Sequence, residues 1–177
     1  MRRRHLDPGL SSGRGRREKG GPEEPADHAL GRSRGGWGTK LHLVCDERGL
    51  PLGFSLSAGQ VNECQVFESL VSGVRAAGVL GPPRMLAGDK AYSSWPILRW
   101  LRRRRIRPVI PRRADQRARR YRAPLCKRLY RKRNVIERLV GWLKHRRRLA
   151  TRFEKFATAF APMIRLAFVE IYLAVLL

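Results

Sequence analysis

The chain has 177 residues, with 39 Lys and Arg against 14 Asp and Glu, so its formal net charge is +25. The hydrophobic share of 42% is enough to build a core, which excludes a wholly disordered basic tail. So large a positive charge predicts a polyanionic partner. Three classes stay open: a nucleic-acid-binding protein, a protein at an anionic membrane surface and a ribosome-associated protein.

The first part of the chain divides into a basic flank and a β-hairpin. Residues 1–36 are rich in Gly, Arg, Pro and Ser and lack apolar periodicity, which predicts a disordered or poorly packed flank. Apolar residues then alternate in 39–45 and again in 50–57. The turn residues 46–49 lie between these two stretches, so the pattern predicts a hairpin.

Downstream of the hairpin, amphipathic helices alternate with short apolar strands. The predicted elements are a helix from Asn62 to about Gly78, a strand at 84–88, a helix from Ser93 or Ser94 to about Arg104, a strand at 106–110, a solvated loop at 112–132, and helices at 133–148 and from 156 to the end. This order predicts a mixed α/β domain over residues 37–177.

Compartment and membrane signals are weak. The start, MRRRHLDPGLSSG, lacks the apolar segment of a signal peptide. The apolar C-terminal run contains Arg165 and Glu170, which are costly in a bilayer, so we predict a buried core helix and no membrane partner. Cys45, Cys64 and Cys126 have no metal-ligand spacing and predict buried thiols in a reducing cytoplasm.

Two acidic residues are candidates for chemistry. Asp89 follows an apolar strand at its carboxyl end, where open α/β sheets carry their active sites. Glu137 lies in a segment that is otherwise almost purely basic. Each residue also has a structural interpretation: Asp89 can cap the turn after it, and Glu137 can pair with Arg133 on a helix surface. The residues alone leave both interpretations open.

The spacing around Glu137 favours a functional interpretation. Arg133, Glu137 and Lys144 are separated by four and seven positions, so a helix places them on one face. The opposite face is apolar and comprises Ile136, Leu139, Val140 and Leu143. An acid flanked by cations suits a divalent metal ion beside a phosphodiester, because the acid binds the metal and the cations hold phosphate oxygens.

Tyr130 extends this pattern to a family signature. Tyr130, Arg133, Glu137 and Lys144 fit Y-x2-R-x3-E-x6-K at every position, and the chain thereby resembles the bacterial insertion-sequence DDE transposases. The segment MLAGDKAYSS around Asp89 resembles the same family, as does the upstream stretch GRSRGGWGTKLHLVCDERGLPLGFSLSAGQ. The resemblance covers roughly residues 24–177.

The resemblance implies a ribonuclease H-like fold, in which a mixed sheet has flanking helices and three carboxylates hold two Mg²⁺ or Mn²⁺ ions. The implied reaction is hydrolysis of one DNA strand and attack of its 3′-hydroxyl on target DNA. Asp89 is implied to be the second catalytic, metal-binding carboxylate and Glu137 the third. Tyr130, Arg133 and Lys144 are implied to contact DNA phosphates near the transposon end.

The family also implies partners and a location. The partners are the DNA of the transposon ends and of the target, and a second copy of the chain in a homodimer on paired ends. The implied location is the bacterial cytoplasm, in association with the nucleoid.

The family's first catalytic Asp has no counterpart in this sequence. It lies on the opening strand in a pattern like D-[AST]-T-x-x-R-A, so we expect that strand to be missing and the fold to be incomplete. Asp7 is a poor substitute, because Pro8 follows it and no apolar strand precedes it. Read one base later, the codons of Arg3–Leu10 permit Asp-Ala-Thr-Trp-Thr-Arg-Ala. The codons of Glu18 and Lys19 can then form a run of adenines, so we hypothesise a truncated or frameshifted gene.

Two hypotheses for function follow. The first is the catalytic portion of a DNA transposase, with little or no activity alone because one carboxylate is absent. The second is a basic nucleic-acid-binding remnant without chemistry. Metal-dependent nicking that is lost on Glu137→Gln would favour the first. Nothing in the motif spacing supports a ribosome-associated protein.

Overall fold

The computed structural model describes residues 3–6, 28–33, 36–78, 83–112 and 125–177. Within these ranges strands and helices are mixed, which confirms the predicted α/β class. The elements are β1 (Arg3–Leu6), β2 (Gly31–Ser33), β3 (Gly36–Cys45), β4 (Pro51–Ala58), α1 (Glu63–Ala76), β5 (Met85–Ala87), a 3-10 turn (Lys90–Tyr92), α2 (Trp95–Arg103), β6 (Arg107–Val109), α3 (Lys127–Arg131), α4 (Asn134–His145), α5 (Arg147–Ala150) and α6 (Ala157–Leu176).

Strand β3 is the centre of the larger sheet and pairs with β1, β2 and β4. The predicted β3–β4 hairpin is confirmed. In its turn, Asp46 Oδ1 accepts hydrogen bonds from the backbone N–H groups of Arg48 and Leu50, both at 2.9 Å. Gly49 has φ +94°, a left-handed conformation that favours glycine because it has no Cβ. The turn residues in the sequence therefore account for the hairpin.

Two strands lie within the segment predicted as a basic flank. β2 pairs antiparallel with β3, and Thr39 Oγ1 donates a hydrogen bond to the carbonyl of Ala29 at 2.8 Å. His28 is buried, with its ring 5.3 Å from that of Phe156. Residues 28–33 of the predicted flank are therefore ordered. Residues 7–27 and 34–35 of the predicted flank lie outside the described residues.

Strand β1 differs from the expectation that no strand opens the chain. Residues Arg3–Leu6 are extended and pair with β3, although their sequence has no strand-like apolar pattern. Strand pairing uses backbone N–H and C=O groups, so an open edge accepts an extended segment of almost any sequence. Asp7, which follows this strand in the chain, lies outside the described residues.

The chain forms two compact units. The first comprises Met1–Arg3, His42–Ser55 and Asn62–Leu139, and the second comprises Arg4–Leu41, Leu56–Val61 and Val140–Leu177. In the first unit, β5 and β6 form a parallel pair, as the order strand–helix–strand requires. Helix α2 packs against β6 and α1. The core of the first unit is a cluster of buried apolar side chains: Phe67, Leu70, Val71, Leu86, Tyr92, Ile97, Trp100, Leu101, Ile106 and Ile110.

Helix α1 begins and ends as the sequence predicts. Asn62 is its N-cap, and the Asn62 side chain accepts a hydrogen bond from the Cys64 N–H at 3.0 Å. Gly78, just beyond the helix, has φ +67°. Phe67 on the buried face of α1 meets Trp100 of α2 edge to face, with ring centroids 5.6 Å apart.

The predicted loop at 112–132 is wrong for part of its length. Helix α3 covers Lys127–Arg131, and the Tyr130 N–H donates to the carbonyl of Cys126 at 2.9 Å. No residue of α3 is buried, so the apolar periodicity that identifies a helix in sequence is missing. Residues 113–124 of the predicted loop lie outside the described residues.

In the second unit, the Arg152 guanidinium donates hydrogen bonds to two backbone carbonyls and to one hydroxyl group. Its Nε donates to the carbonyl of Glu154 at 2.8 Å and its Nη2 to the carbonyl of Lys155 at 2.7 Å. Its Nη1 donates to Thr39 Oγ1, and the guanidinium lies 5.3 Å from the centroid of the Phe160 ring. Burial lowers the pKa of Arg152, and the charge of Glu154 opposes this shift.

Helix α6 is less buried than predicted. Its inner side buries Phe160, Ile164 and Ala167, but Leu166, Val169 and Leu173 are exposed. The prediction of a buried core helix is therefore wrong for the outer side of α6. Composition gives the number of apolar side chains in a helix, but it does not show which of them pack against other elements. By length and composition alone α6 is able to cross a membrane, which is weak evidence because core helices pass the same test.

Candidate active site

Asp89 lies directly after the parallel pair β5–β6. The Gly88 N–H donates to the carbonyl of Val109 at 3.3 Å, which extends the pairing up to this point. A Cβ on Gly88 would lie 3.4 Å from Ile110 Cγ1, so the chain is tightly packed just before the carboxylate. The position at a strand's carboxyl end is the one expected from the sequence.

The Asp89 carboxylate also caps the 3-10 turn. Its Oδ1 accepts a hydrogen bond from the Ala91 N–H at 2.8 Å. The structural interpretation of this residue is therefore confirmed. It does not compete with metal binding, because a carboxylate has about four lone-pair sites on its two oxygens and this bond uses one.

Glu137 of helix α4 is paired with Arg133, which lies in the turn just before that helix. Arg133 Nη2 and Glu137 Oε1 are 2.9 Å apart, and the two side chains are 11% and 25% exposed. The pair has the i,i+4 spacing predicted from the sequence, but it is far less exposed than an ordinary surface bridge. The apolar side of α4 is buried as predicted, in Ile136, Leu139, Val140 and Leu143.

Two donors of Arg133 are not satisfied by any residue that the structure describes. Its Nε and Nη1 are buried and have no hydrogen-bond partner among the described residues. The guanidinium carbon lies 4.9 Å from the centroid of the Tyr130 ring, which holds the group from one side. Buried donors without partners are rare and costly, so an anion at this position would stabilise the arrangement.

Lys144 lies on α4 seven residues after Glu137 and is exposed. Two turns of a helix place such residues on the same side, as predicted. The structure thus brings Tyr130, Arg133 and Glu137 together through direct contacts, while Lys144 is related to Glu137 only by helix position.

The described part of the chain contains no complete metal site. No group of three or more His, Cys, Asp or Glu side chains that could hold a metal ion is found there. Asp89 and Glu137 supply carboxylate oxygens, the donors that Mg²⁺ and Mn²⁺ prefer. Each of the two carboxylates is by its chemistry a suitable ligand for a divalent metal ion.

A second charged feature was not singled out in the sequence. A cleft of about 510 Å³ in the first unit is lined by the β3–β4 turn and by the start of α4, and we call it the hairpin cleft. Its lining residues are Glu47, Arg48, Arg131, Lys132, Asn134, Val135 and Arg138. The signal was present in the basic run around Lys132, but the hairpin residues lie more than 80 positions earlier, so only the fold joins them.

Known proteins are similar to this chain over most of its length. Residues 14–169 match the family profile described as transposase DDE domain. A transposase named for insertion sequence element IS402 of Burkholderia cepacia is 33% identical over 162 residues, covering 89% of this chain and 70% of that protein. One named for IS6501 of Brucella ovis is 33% identical over 139 residues, covering 76% of this chain and 98% of that protein. No solved structure gives a significant match.

Proposed function

The chain belongs to the bacterial insertion-sequence DDE transposases, and on that premise we propose that it is the catalytic portion of a DNA transposase. The proposed reaction is metal-dependent cleavage of one DNA strand and transfer of its 3′ end to target DNA. The observation that carries this proposal is the contact of Tyr130, Arg133 and Glu137, because it builds the centre of the family signature into one half-buried cluster.

Each residue of the signature has a proposed role. Arg133 offers DNA phosphates two donors that point to different sides of the guanidinium, Nε and Nη1, which are buried and have no described partner. The Tyr130 ring keeps the guanidinium in place, and the exposed Lys144 binds a further phosphate as a point charge. Arg133 also orients Glu137, since the 2.9 Å contact fixes one carboxylate oxygen.

Asp89 and Glu137 are the proposed metal-binding residues, with Mg²⁺ or Mn²⁺ as the cofactor. When bound, such ions supply Lewis acidity and neutralise charge on the reacting phosphodiester. Asp89 is supported by its position at a strand's carboxyl end and by its fixed orientation, because Ala91 N–H binds Oδ1. The role of this chain's own residues is to hold carboxylate oxygens in place and to bind the DNA phosphates beside them.

We propose a ribonuclease H-like fold for residues 37–177, supported by the β3–β4 hairpin and by the parallel pair β5–β6, which belong to separate sheets among the described residues. In that fold the opening strand carries the first catalytic Asp. Strand β1 pairs with β3, as an opening strand would, but residues 3–6 read Arg-Arg-His-Leu and contain no acid. The chain by itself is therefore proposed to bind DNA with little or no cleavage.

An alternative is a basic DNA-binding remnant in which the signature has no role. The lack of a three-residue metal group among the described residues favours this alternative. Both proposals place the chain in the bacterial cytoplasm with DNA as its partner, and the first adds a homodimer on paired ends.

The variant Arg133→Lys distinguishes the two proposals. It keeps the charge but loses the two buried donors, so the transposase proposal predicts about tenfold weaker binding to duplex DNA at 0.1 M salt, because a lost hydrogen bond to a charged group costs about 1.5 kcal/mol. The matched control is Arg99→Lys, an exposed residue of α2. Equal affinity for both variants, measured by fluorescence anisotropy, would support the remnant and contradict a specific role for Arg133.

A further inference from the structure

The hairpin cleft concentrates positive charge. Four cationic side chains line it, Arg48, Arg131, Lys132 and Arg138, against the single acid Glu47. Pockets for small organic molecules are mostly apolar, whereas this cleft has one apolar lining side chain, Val135. The lining is that of a site for an anion with many oxygens.

These cations are not neutralised by neighbouring acids. Lys132 Nζ and Glu47 Oε2 are 4.0 Å apart, and their side chains are 62% and 80% exposed, so this bridge is weak. In the part of the chain that the structure describes, Arg48, Arg131 and Arg138 make no ion pair. Like charges around one cleft repel each other, and a bound polyanion removes that repulsion.

The β3–β4 turn lies beside the start of α4. A Cβ on Gly49 would lie 3.6 Å from the Val135 carbonyl oxygen and 3.7 Å from Val135 Cβ. The turn itself is fixed by two hydrogen bonds to Asp46 Oδ1. The cation of the hairpin and those of the helices thus line one cleft, and the hairpin side of that cleft has an ordered turn.

We propose that the hairpin cleft binds the sugar-phosphate backbone of duplex DNA, as a contact separate from that of Tyr130, Arg133 and Lys144. The choice of DNA among polyanions rests on the proposed transposase function. Contacts to phosphate position a protein without reading the sequence, so the cleft orients the DNA and does not select its bases.

The test is the salt dependence of binding to a 30-base-pair DNA duplex of arbitrary sequence. The cleft variant is Arg48→Gln with Arg138→Gln, and the control with the same loss of charge is Arg99→Gln with Arg103→Gln on α2. Each lost phosphate contact lowers the slope of log K against log salt by about 0.9. We therefore expect the slope to fall by roughly 2 in the cleft variant, with at least tenfold weaker binding at 0.1 M salt, and little change in the control.

Each outcome bears on a different claim. Equal slopes for the cleft variant and the control would overturn the cleft, while steep binding by the unmodified chain would leave the transposase proposal standing. Absence of salt-dependent binding by the unmodified chain would instead contradict the proposed function. Stronger binding to a duplex RNA of equal length would overturn DNA as the ligand of the cleft. If the cleft variant unfolds, a second double variant, Arg131→Gln with Lys132→Gln, removes two other cations of the cleft. This variant must then lower the slope of log K against log salt by the same amount.

Discussion

The variant Glu137→Gln tests the half-buried pair at the centre of the site. Gln keeps an oxygen that can accept the hydrogen bond from Arg133 but removes the negative charge. Arg133 is then left as a cation that is 11% exposed, with two further nitrogens already without described partners. We expect the folded state to lose stability even in the absence of DNA and metal.

The size of this loss follows from the burial of the pair. A hydrogen bond to a charged group contributes about 1.5–3 kcal/mol and a neutral one about 0.5–1.5 kcal/mol, so the change costs about 1–2 kcal/mol. Exposed pairs of this spacing contribute only about 0.3–0.5 kcal/mol, and removal of one partner from a fully buried pair costs about 3–5 kcal/mol. For a chain of this size, the expected fall in Tm is roughly 3–6 °C.

The assay is thermal and urea unfolding followed by circular dichroism. The matched control is Glu47→Gln, which breaks the exposed bridge to Lys132 at 4.0 Å and should change stability by less than about 0.5 kcal/mol. A loss of stability no larger for Glu137→Gln than for Glu47→Gln would refute the reasoning, and so would a gain. Either result would mean that the charge of Glu137 does not stabilise Arg133.

Three further predictions concern the rest of the molecule. Burial, with a smaller effect of Asp46, raises the pKa of Cys45 from 9.0 to about 11. Alkylation of Cys45 by iodoacetamide should therefore be slow at neutral pH and accelerate towards pH 11. The raised pKa also stabilises the folded state; this stabilisation should be present below pH 9 and be lost as the pH rises through 11. Arg152→Lys should cost about 1–3 kcal/mol in urea unfolding, because one ammonium cannot replace three guanidinium hydrogen bonds. Ile164→Ala should cost about 2–4 kcal/mol and Leu173→Ala less than about 0.5 kcal/mol, since only the first is buried; equal losses would contradict the orientation of α6.

Much of the fold was predictable because local sequence signals agree with it. The Asp46–Gly49 turn fixes the hairpin through side-chain and backbone hydrogen bonds within a few residues, and Asn62 caps α1 in the same local way. Signals of this kind need no knowledge of distant contacts. Helix α3 was missed because it buries no residue, so its sequence has no apolar period to detect.

Features that depend on distant partners were less predictable. The exposed side of α6 and the buried side have similar composition, and only packing distinguishes Ile164 from Leu173. In the site, spacing predicted that Arg133 and Glu137 share a helix face, but it did not predict that Arg133 is nearly buried or stacked on Tyr130. Tyr130 lies on α3 and Arg133 in the turn between α3 and α4, a break that the spacing did not predict.

We propose that Asp89 and Glu137 are two of three metal-binding carboxylates, and restoring the third carboxylate tests this proposal most directly. The measurement is Mn²⁺-dependent nicking of a supercoiled plasmid by the chain as it stands and by a chain in which Asp-Ala-Thr-Trp-Thr-Arg-Ala replaces Arg4–Leu10. We predict no nicking by the first and nicking by the second, abolished when Glu137→Gln is added. Nicking by the unmodified chain, or nicking by the restored chain that survives Glu137→Gln, would contradict the account.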